Sequence, residues 1–455
     1  MSKFETAIST LESGFSGTLV RPGDAAYDAR RTVVTGGIDK RPGLIAEVKN
    51  AADVAAVINA ARDGGVELAV RSGGHSGAGH STTEGGIVLD LRGMKAIEID
   101  VASRTAWVET GATAMEVMQA TLAHGAIIGF GDAGSVGVGG ITLGGGVGYL
   151  ARKWGMTIDA LLAAEIVTAD GKFHAIDATH EPDLFWAIRG GGGNFGVVTR
   201  LRFALQPLPA FTGGMLALPA TPETIAGFVA AAEMAPDELS TIANVMTAPP
   251  LPFLPPELHG KIIIMGMLAF AGDDAAAQRA IAPFRALAKP YADMVKPGPY
   301  TSLYPPEDPN YRPTAAVRSL FMDHIGFDEA RTMVQTLESS TAAFRAVQIR
   351  VLGGAYARVP VDATAYAHRN ASIMLNLVAF HGPSDKAEQE AWAERFRLAL
   401  TQEEKGVYSN FLANEGAERV HAAYPGKTWD RLAEIKAAVD PTNLFRLNQN
   451  IVPAQ

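Results

Sequence analysis

The sequence predicts an α+β fold, in which strands pair as antiparallel hairpins and helices lie between them. The stretch "KAIEIDVASRTAWVETGA" alternates apolar and polar residues on both sides of Ala102–Ser103, and "AAEIVTADGKFHAI" turns at Asp170–Gly171. Helical segments occur between these hairpins, without the regular alternation of strand and helix that marks a βαβ array. Both observations favour an α+β fold.

The helices and the other strands of the first half are indicated by caps and apolar runs. Residues 50–65 predict a helix with Asn50 as its N-cap. "TAMEVMQATLAHG" predicts a second helix, because Thr113 and Glu116 have capping-box spacing. "EPDLFWAIRG" predicts a short helix with Pro182 in its first turn, and "VELAV", "IVLDL" and "GVVTRLRFAL" predict strands.

The composition changes after Leu205, where "QPLPAF" predicts a domain boundary. Beyond it, strand-like runs such as "KIIIMGMLAF" and "IMLNLVAF" alternate with amphipathic helices such as "DKAEQEAWAERFRLAL". We therefore expect a second α+β domain after the first.

Charge and composition exclude several classes of partner. The 455 residues carry 39 Lys and Arg against 48 Asp and Glu, with no basic block, so nucleic acid and anionic membranes are poor partners. The absence of cysteine excludes disulfides and thiolate chemistry. The longest apolar run, from Ile262, is far short of the roughly 20 residues of a membrane span, and the N-terminus lacks the apolar segment of a secretory signal. We expect a soluble, cytoplasmic protein.

Glycine is concentrated in three segments of the first half: Arg71–His80, Gly129–Gly148 and Gly190–Gly196. Two of them contain G-x-G-x-x-G, but a dinucleotide fingerprint needs that pattern between a strand and a helix. The first match is followed by more glycine and the second by a predicted strand, so both fail this test. Glycine loops also form anion-binding nests, and three of them would suit a large ligand with a diphosphate. The alternative is that these glycines serve only tight turns.

His75 lies in the first of these loops, in "RSGGHSGAGH", and three interpretations of it remain open. With His80 it could bind a metal, although the loop supplies no further ligand at suitable spacing. It could be a loop histidine with its hydrogen bonds satisfied. It could also contact a ligand held by the glycine loops.

Several motifs resemble one protein family. "RSGGHS" with "GGIVLDL", then "SVGVGGITLGGGVGYLARKWGMTIDALLAAEIVTADG" and "EPDLFWAIRGGGGNFGVVTRLRF", are similar to the vanillyl-alcohol-oxidase (PCMH) type of FAD-binding domain, in its berberine bridge enzyme-like branch. "GVYSNFLANEG" and "WDRLAEIKAAVDPTNLFRLNQNI" resemble the terminal segment of that branch. The likeness covers roughly Arg41–Leu205 and Val407–Ile451, and the middle region is similar only through "GGAYARVPVDATAYAHR".

The resemblance implies a two-lobed FAD-binding domain over 1–207 with its core at 36–207. It also implies an α+β substrate domain over 208–406, an antiparallel sheet covered by helices, and a segment over 407–455 that returns to the FAD domain. FAD would be bound covalently through its 8α-methyl group to His75, with no metal. Many relatives add a second bond from a cysteine, but Ala133 occupies that position, which implies the single-bond subgroup.

The FAD contacts that the resemblance implies lie in the glycine loops, the strand after the third loop and the C-terminal segment. They are Arg71, Ser72, Gly73, Gly74, His75, Ser76, Gly134, Ser135, Val136, Gly139, Gly140, Thr142, Gly145, Gly146, Val198, Tyr408, Asn410 and Asn448.

The activity that the resemblance implies is an FAD-dependent oxidase, which takes hydride from a C–H bond of an alcohol, sugar or amine and passes electrons to O2. The alternatives are a flavin-dependent dehydrogenase, an oxidative cyclase of secondary metabolism, and a flavin-binding protein with little turnover. The expected partners are a small-molecule substrate and O2, and the chain would be a monomer or homodimer. Ile141 replaces a residue that is often polar in relatives, which weakens any inference about the substrate.

The resemblance also suggests residues that act on the substrate. Tyr408 and Asn410 form a Y-x-N motif whose tyrosine serves as base in relatives, and such a phenol, with an ordinary pKa of about 10, would need cationic neighbours to lower it. The alternative is that Tyr408 is only a wall of the pocket. Strands around Gly353–Arg358 and Leu375–Phe380 would face the substrate and bring Tyr356 and His368 to it, unless His368 is structural.

Overall fold

β-Sheets of four, five and eight strands form the framework of this protein. A computed structural model describes residues 3–12, 14–304, 306–308, 310–403 and 405–455.

The four-stranded sheet has the order β1-β2-β4-β3, in which β2 and β3 both run parallel to β4. β4 is buried along its whole length, as expected of a central parallel strand. The hairpins seen in the sequence did not predict this parallel pairing. The elements of this part are α1 (Lys3–Glu12), β1 (Thr18–Val20), α2 (Tyr27–Arg31), β2 (Leu44–Glu47), α3 (Ala51–Gly64), β3 (Leu68–Arg71) and β4 (Ile87–Asp90).

The five-stranded sheet is antiparallel, with the order β5-β6-β10-β8-β9, and a two-stranded ribbon pairs β7 with β11. The second glycine segment is not entirely a loop, because it contains the short helix α5. The elements are β5 (Ile97–Asp100), β6 (Thr105–Glu109), α4 (Ala114–Leu122), β7 (Ala126–Ile127), α5 (Val138–Leu143), α6 (Ala151–Trp154), β8 (Leu161–Val167), β9 (Phe173–Asp177), α7 (Pro182–Ala187), β10 (Val197–Ala204) and β11 (Gln206–Pro207).

The third sheet is antiparallel, with the order β15-β12-β14-β13-β18-β19-β17 and with β16 paired to β12. Helices α8, α9, α10 and α12 pack on one of its faces, and the other face is turned to the first half of the chain. The elements are β12 (Thr212–Pro219), α8 (Pro222–Glu233), β13 (Leu239–Thr247), β14 (Ile262–Phe270), α9 (Asp274–Arg285), β15 (Ala292–Asp293), β16 (Lys296–Pro297), β17 (Ala315–Met322), α10 (Phe327–Glu338), β18 (Arg345–Val351), α11 (Ala355–Arg358), β19 (Ile373–Phe380) and α12 (Lys386–Leu400).

The C-terminal segment, with α13 (Ala417–Ala423) and α14 (Lys427–Val439), is fixed to the third glycine loop by a buried lysine. Lys436 Nζ forms an ion pair of 2.6 Å with Asp440 and donates to the carbonyl oxygens of Asn194, at 2.6 Å, and Phe445, at 2.9 Å. Burial lowers the pKa of Lys436, and Asp440 opposes that shift. These bonds hold the end of the chain against the first half.

The predicted hairpins and caps are confirmed, and one predicted strand is wrong. Asn50 Oδ1 accepts from the backbone N–H of Asp53 at 2.9 Å, and the capping box of α4 is complete. The expected strand around Gly353–Arg358 is a turn followed by α11. Gly353 and Gly354 have φ of 106° and 56°, and these left-handed conformations turn the chain just after strand β18.

Candidate active site

The three glycine segments and the C-terminal segment meet around one cleft of about 390 Å³. A volume of this size falls within the range of small-molecule and cofactor sites. The cleft wall includes twelve of the residues expected to bind FAD: Ser72, Gly73, Gly74, His75, Ser76, Val136, Gly139, Gly140, Val198, Tyr408, Asn410 and Asn448.

Glycine is required here both for packing and for access. A Cβ on Gly73 would lie 2.2 Å from the Gly137 nitrogen, and one on Gly137 would lie 2.1 Å from the Gly73 nitrogen, so the first two loops touch backbone to backbone. A Cβ on Gly140 or Gly193 would meet no atom within 4 Å, although both residues line the cleft. The open backbone at these two positions allows a ligand to approach closely.

Unsatisfied polar atoms also point to a ligand in this cleft. Asn448 Oδ1 and Ser81 Oγ are buried, line the cleft and find no hydrogen-bond partner among the described residues. Such atoms are costly unless a ligand or water satisfies them. Together with the open glycine backbone, they fit a large polar cofactor such as FAD.

His75 lies at the edge of the cleft and contacts the second glycine loop. Its Nε2 is 2.9 Å from Ser135 Oγ, and that hydroxyl is hydrogen-bonded to the carboxylate of Glu307. Burial lowers the pKa of His75, and the charge of Glu307 opposes the shift. The imidazole is therefore neutral at pH 7, which is the nucleophilic form.

Tyr408 is fully buried, and two donors converge on its hydroxyl. The Gly146 N–H and Asn410 Nδ2 each donate to its oxygen at 2.9 Å, and Asn410 also donates to the Ile141 carbonyl oxygen at 3.1 Å. Burial raises the pKa of Tyr408 above its ordinary value, whereas Gly146, Asn410 and Arg350 act in the opposite direction. These three groups would stabilise a phenolate, but they lower the pKa by less than desolvation raises it.

An ion pair between the first half and the third sheet was not foreseen from the sequence. Arg350 on β18 donates to Asp132 Oδ2 at 2.7 Å and to the Val147 carbonyl oxygen at 2.8 Å, and its guanidinium lies 5.1 Å from the centre of the Phe411 ring. Asp132 and Phe411 both line the cleft. Arg350 stands in an ordinary alternating strand, and no local pattern marks it.

A polar row crosses four neighbouring strands of the third sheet on the face turned to the cleft. The register places Asn244 opposite Gln348, Gln348 opposite Asn376, and Asn376 opposite Ser319, so the four side chains share a face. Gln348 Nε2 donates to Asp132 Oδ2 at 3.2 Å. Asn376 Oδ1 and Ser319 Oγ are buried without a partner within the described chain. We call these four residues the polar row.

The polar row lies next to the apolar cluster that contains Tyr408, and its four residues are outside the cleft wall. Two residues further along the same strands, Met374 pairs with Phe321, and both belong to the apolar cluster that contains Tyr408. The predicted facing strand around Leu375–Phe380 is therefore present, as β19. No local sequence pattern marks the row, because it arises only from the register of four paired strands.

Tyr356 and His368, the expected substrate residues, do not line the cleft. Tyr356 is buried on α11, and its hydroxyl donates to the His368 carbonyl oxygen at 2.7 Å. His368 Nε2 bonds to the Ala423 carbonyl oxygen at 3.0 Å, its ring stacks on Phe321, and burial lowers its pKa to about 4. Both side chains are held by the protein, which supports the structural alternative for His368.

The other expected FAD contacts lie behind the cleft wall. Arg71 is fully buried, and its Nε donates to the Ser81 carbonyl oxygen at 3.0 Å, so it supports the His75 loop from behind. The rest lie on the second glycine segment outside the wall: Gly134, Ser135, Thr142, Gly145 and Gly146. The wall also contains residues outside the expected set, among them Asp132, Phe411 and Gln449.

No cluster of three or more histidine, aspartate or glutamate side chains in the described residues is arranged to hold a metal ion. Over the same residues, no helix combines the length and apolar character that a bilayer crossing requires.

A backbone-walled cleft under an antiparallel sheet is the arrangement expected of an FAD-binding oxidoreductase. Residues 42–177 match the FAD binding domain family, and residues 407–452 match the berberine and berberine-like family. Over 466 aligned residues the chain is 30% identical to (R)-6-hydroxynicotine oxidase of Paenarthrobacter nicotinovorans, with 99% of each chain covered. The chain belongs to the berberine bridge enzyme-like family of FAD-linked oxidoreductases.

Other relatives agree. The chain is 28% identical to xylooligosaccharide oxidase of Thermothelomyces thermophilus, covering 91% of this chain and 88% of that one. The crystal structure of 6-hydroxy-D-nicotine oxidase from Arthrobacter nicotinovorans superimposes with a TM-score of 0.84 at 27% identity, covering 97% of this chain and 99% of that one. The predicted family, the mixed fold and the FAD-dependent oxidoreductase function are confirmed, while the covalent bond stays a prediction.

Proposed function

We propose that this protein holds FAD by a single covalent bond from His75 and oxidises a neutral, hydroxylated substrate, an alcohol or a sugar, with O2 as electron acceptor. The observation that carries the substrate class is the polar row, whose amide and hydroxyl groups carry no charge and lie next to the apolar cluster of Tyr408. When bound, FAD would supply the acceptor for the substrate hydride and the route by which electrons reach O2.

The residues that would hold FAD are those of the cleft wall. Backbone N–H groups of the glycine loops would face its diphosphate, and Asn448 would satisfy a polar group of the cofactor through its free Oδ1. Neutral His75 supplies the nucleophile for the covalent bond. Ala133 also lines the cleft but has no nucleophilic atom, which supports one bond and not two.

The role we propose for Tyr408 is general base for the substrate hydroxyl. Its phenolate oxygen would take that proton while the Gly146 N–H and Asn410 Nδ2 donate to the same oxygen. Because its pKa is raised, the phenol form dominates at neutral pH, and the rate of flavin reduction should increase with pH.

The substrate class follows from the charges near the polar row. An amine cation would need a carboxylate, but Asp132, which accepts from Gln348 of the row, is already paired with Arg350. Asn376 Oδ1 and Ser319 Oγ lack partners among the described residues and could bind substrate hydroxyls. A second candidate is oxidation of an amine, which the 30% identity to (R)-6-hydroxynicotine oxidase favours.

Anaerobic flavin bleaching separates these two classes of substrate. A panel of alcohols, sugars and cyclic amines is mixed with the holoenzyme, and the visible flavin bands are followed. We expect bleaching by hydroxylated compounds, and O2 consumption with the same compounds. Asn376→Leu should raise KM, whereas Leu377→Met, on the opposite face of the strand, should not. Bleaching by amines alone would overturn the proposed substrate class.

The covalent bond is tested separately on denatured protein. Wild-type protein should keep its yellow colour in the acid-precipitated pellet, and His75→Ala should release it to the supernatant. His80 is the matched control, because it also lines the cleft and burial also lowers its pKa, to about 4. His80→Ala should therefore retain the flavin. FAD mass on a peptide without His75 would refute the assignment.

A further inference from the structure

A chain of three polar groups leads from the His75 imidazole to the surface. His75 Nε2 lies 2.9 Å from Ser135 Oγ, and Ser135 Oγ is hydrogen-bonded to Glu307 Oε2. The backbone N–H of Ser135 donates to the other carboxylate oxygen of Glu307 at 3.1 Å. Both carboxylate oxygens are thus directed at the same serine.

The segment that carries Glu307 is anchored on the second glycine loop. Tyr304, three residues earlier, is buried, and its hydroxyl donates to the Gly131 carbonyl oxygen at 2.8 Å. The Tyr304 ring also packs edge-to-face on Tyr149, with 5.7 Å between ring centres. Glu307 itself is exposed and reaches Ser135 from the solvent side.

The direction of each hydrogen bond in the chain follows from the number of protons. A carboxylate accepts hydrogen bonds and has no proton to donate, and a serine hydroxyl has one proton. Ser135 therefore donates its proton to Glu307, and its oxygen must accept from His75. His75 then carries its proton on Nε2, and the lone pair of Nδ1 is free.

We propose that Ser135 and Glu307 are positioning residues that hold His75 as the Nε2–H tautomer, so that Nδ1 is the atom that bonds to the flavin. This inference rests on the proposed covalent attachment through His75. It assigns a function in that attachment to Ser135 and to an exposed carboxylate outside the cleft wall.

The attachment balances with O2 as oxidant. A bond forms between His75 Nδ1 and the 8α-carbon, and one C–H bond of that methyl group breaks. Alkylated at Nδ1, the imidazole becomes cationic and loses its Nε2 proton through Ser135 towards Glu307. O2 then removes the two electrons of the broken C–H bond with two protons and leaves as H2O2. The negative charge of Glu307 stabilises the cationic imidazole of His75, and the Glu307 carboxylate receives the proton that leaves Nε2.

The test compares Glu307→Gln and Ser135→Ala with wild type and with Asp308→Asn, a matched control at the neighbouring exposed acid. Each protein is produced under flavin limitation and mixed with FAD, and the flavin kept in the acid pellet is measured over time. We expect Glu307→Gln and Ser135→Ala to slow incorporation at least about tenfold, the lower side of what lost proton-transfer help costs. Asp308→Asn should match wild type.

The bonding nitrogen is read from the flavin peptide by NMR. Wild type should give only the Nδ1 product, and Ser135→Ala should add the Nε2 product, a change that a merely structural role would not produce. Ser135→Thr keeps the hydroxyl and should incorporate flavin at the wild-type rate. If Ser135→Ala fails to fold, Ser135→Thr and Glu307→Gln together still test the proposal. A wild type that releases its flavin overturns the proposed bond. If the wild type binds flavin covalently but Glu307→Gln incorporates it as fast as Asp308→Asn, only the role proposed for Ser135 and Glu307 is overturned.

Discussion

Replacing Tyr408 by phenylalanine should change three quantities that the structure allows us to estimate. The substitution removes one oxygen and leaves the ring, which packs edge-to-face on Tyr366 and Phe411. Substrate binding should therefore change little. The rate of flavin reduction by a hydroxylated substrate should fall by about 10²–10⁴, the usual effect of losing a general base.

The cost in stability can be worked from the two lost hydrogen bonds. Asn410 Nδ2 keeps the Ile141 carbonyl oxygen as acceptor, whereas the buried Gly146 N–H loses its acceptor. At about 0.5–1.5 kcal/mol for each bond, the free energy of unfolding should decrease by about 1–3 kcal/mol. Measuring the rate of flavin reduction and the free energy of unfolding on the same variant separates the effect on catalysis from the effect on folding.

The pH profile gives the sharpest measurement. Because burial raises the pKa of Tyr408, wild-type flavin reduction should increase by about tenfold per pH unit below that pKa, as the phenolate fraction rises. Tyr408→Phe should lose this slope. Stopped-flow bleaching without oxygen, at several pH values, measures both.

Tyr366→Phe is the matched control, because the Tyr366 hydroxyl is hydrogen-bonded to the Tyr356 hydroxyl and Tyr366 does not line the cleft. It should keep the wild-type slope. A flat wild-type profile, or an unchanged slope in Tyr408→Phe, would show that Tyr408 is only a wall of the pocket.

Three further substitutions test the surroundings of the site. Arg350→Gln removes a charge that lowers the pKa of Tyr408, so the rate profile should move to higher pH, and an unmoved profile would contradict this electrostatic role. Lys436→Met leaves Asp440 buried without its cation and should cost about 3–5 kcal/mol in chemical unfolding; a cost below 1 kcal/mol would refute this role. Burial lowers the pKa of His368 to about 4 from an ordinary 6.5, so its protonation favours the unfolded chain. About 3 kcal/mol of stability should be lost as the pH falls from 6.5 to 4, and His368→Gln should reduce that loss in unfolding curves at the two pH values.

The parts of the fold that the sequence predicted are those set by neighbours in the chain. The N-cap at Asn50 and the capping box of Thr113 and Glu116 depend on residues three positions apart, and the two hairpins depend on short turns. The parallel pairing of β2 and β3 with β4 has no comparable local signal, because it depends on segments separated by helix and loop.

The same distinction applies to the site. The glycine loops and His75 were visible because the cleft is built from backbone, and backbone access requires glycine locally. The contacts of Asp132 with Arg350 and of Ser135 with Glu307 span 218 and 172 positions, and neighbours in the polar row are 28 to 104 positions apart. The residue types involved are ordinary for their segments. The expected position of Tyr356 is wrong because Gly353–Arg358 forms a turn and α11, and not the strand that the resemblance implies.

The position of Tyr408 joins the two functions of the second glycine segment. Gly139, Gly140 and Ile141 of that segment line the cleft. The Ile141 carbonyl oxygen also accepts from Asn410, and the Gly146 N–H donates to Tyr408. The loop that would bind the cofactor therefore also orients the proposed base. A shift of this loop would move the cofactor site and the tyrosine hydroxyl together, so their relative position is kept. Such rigid coupling suits hydride and proton transfers that must occur at neighbouring atoms of one substrate.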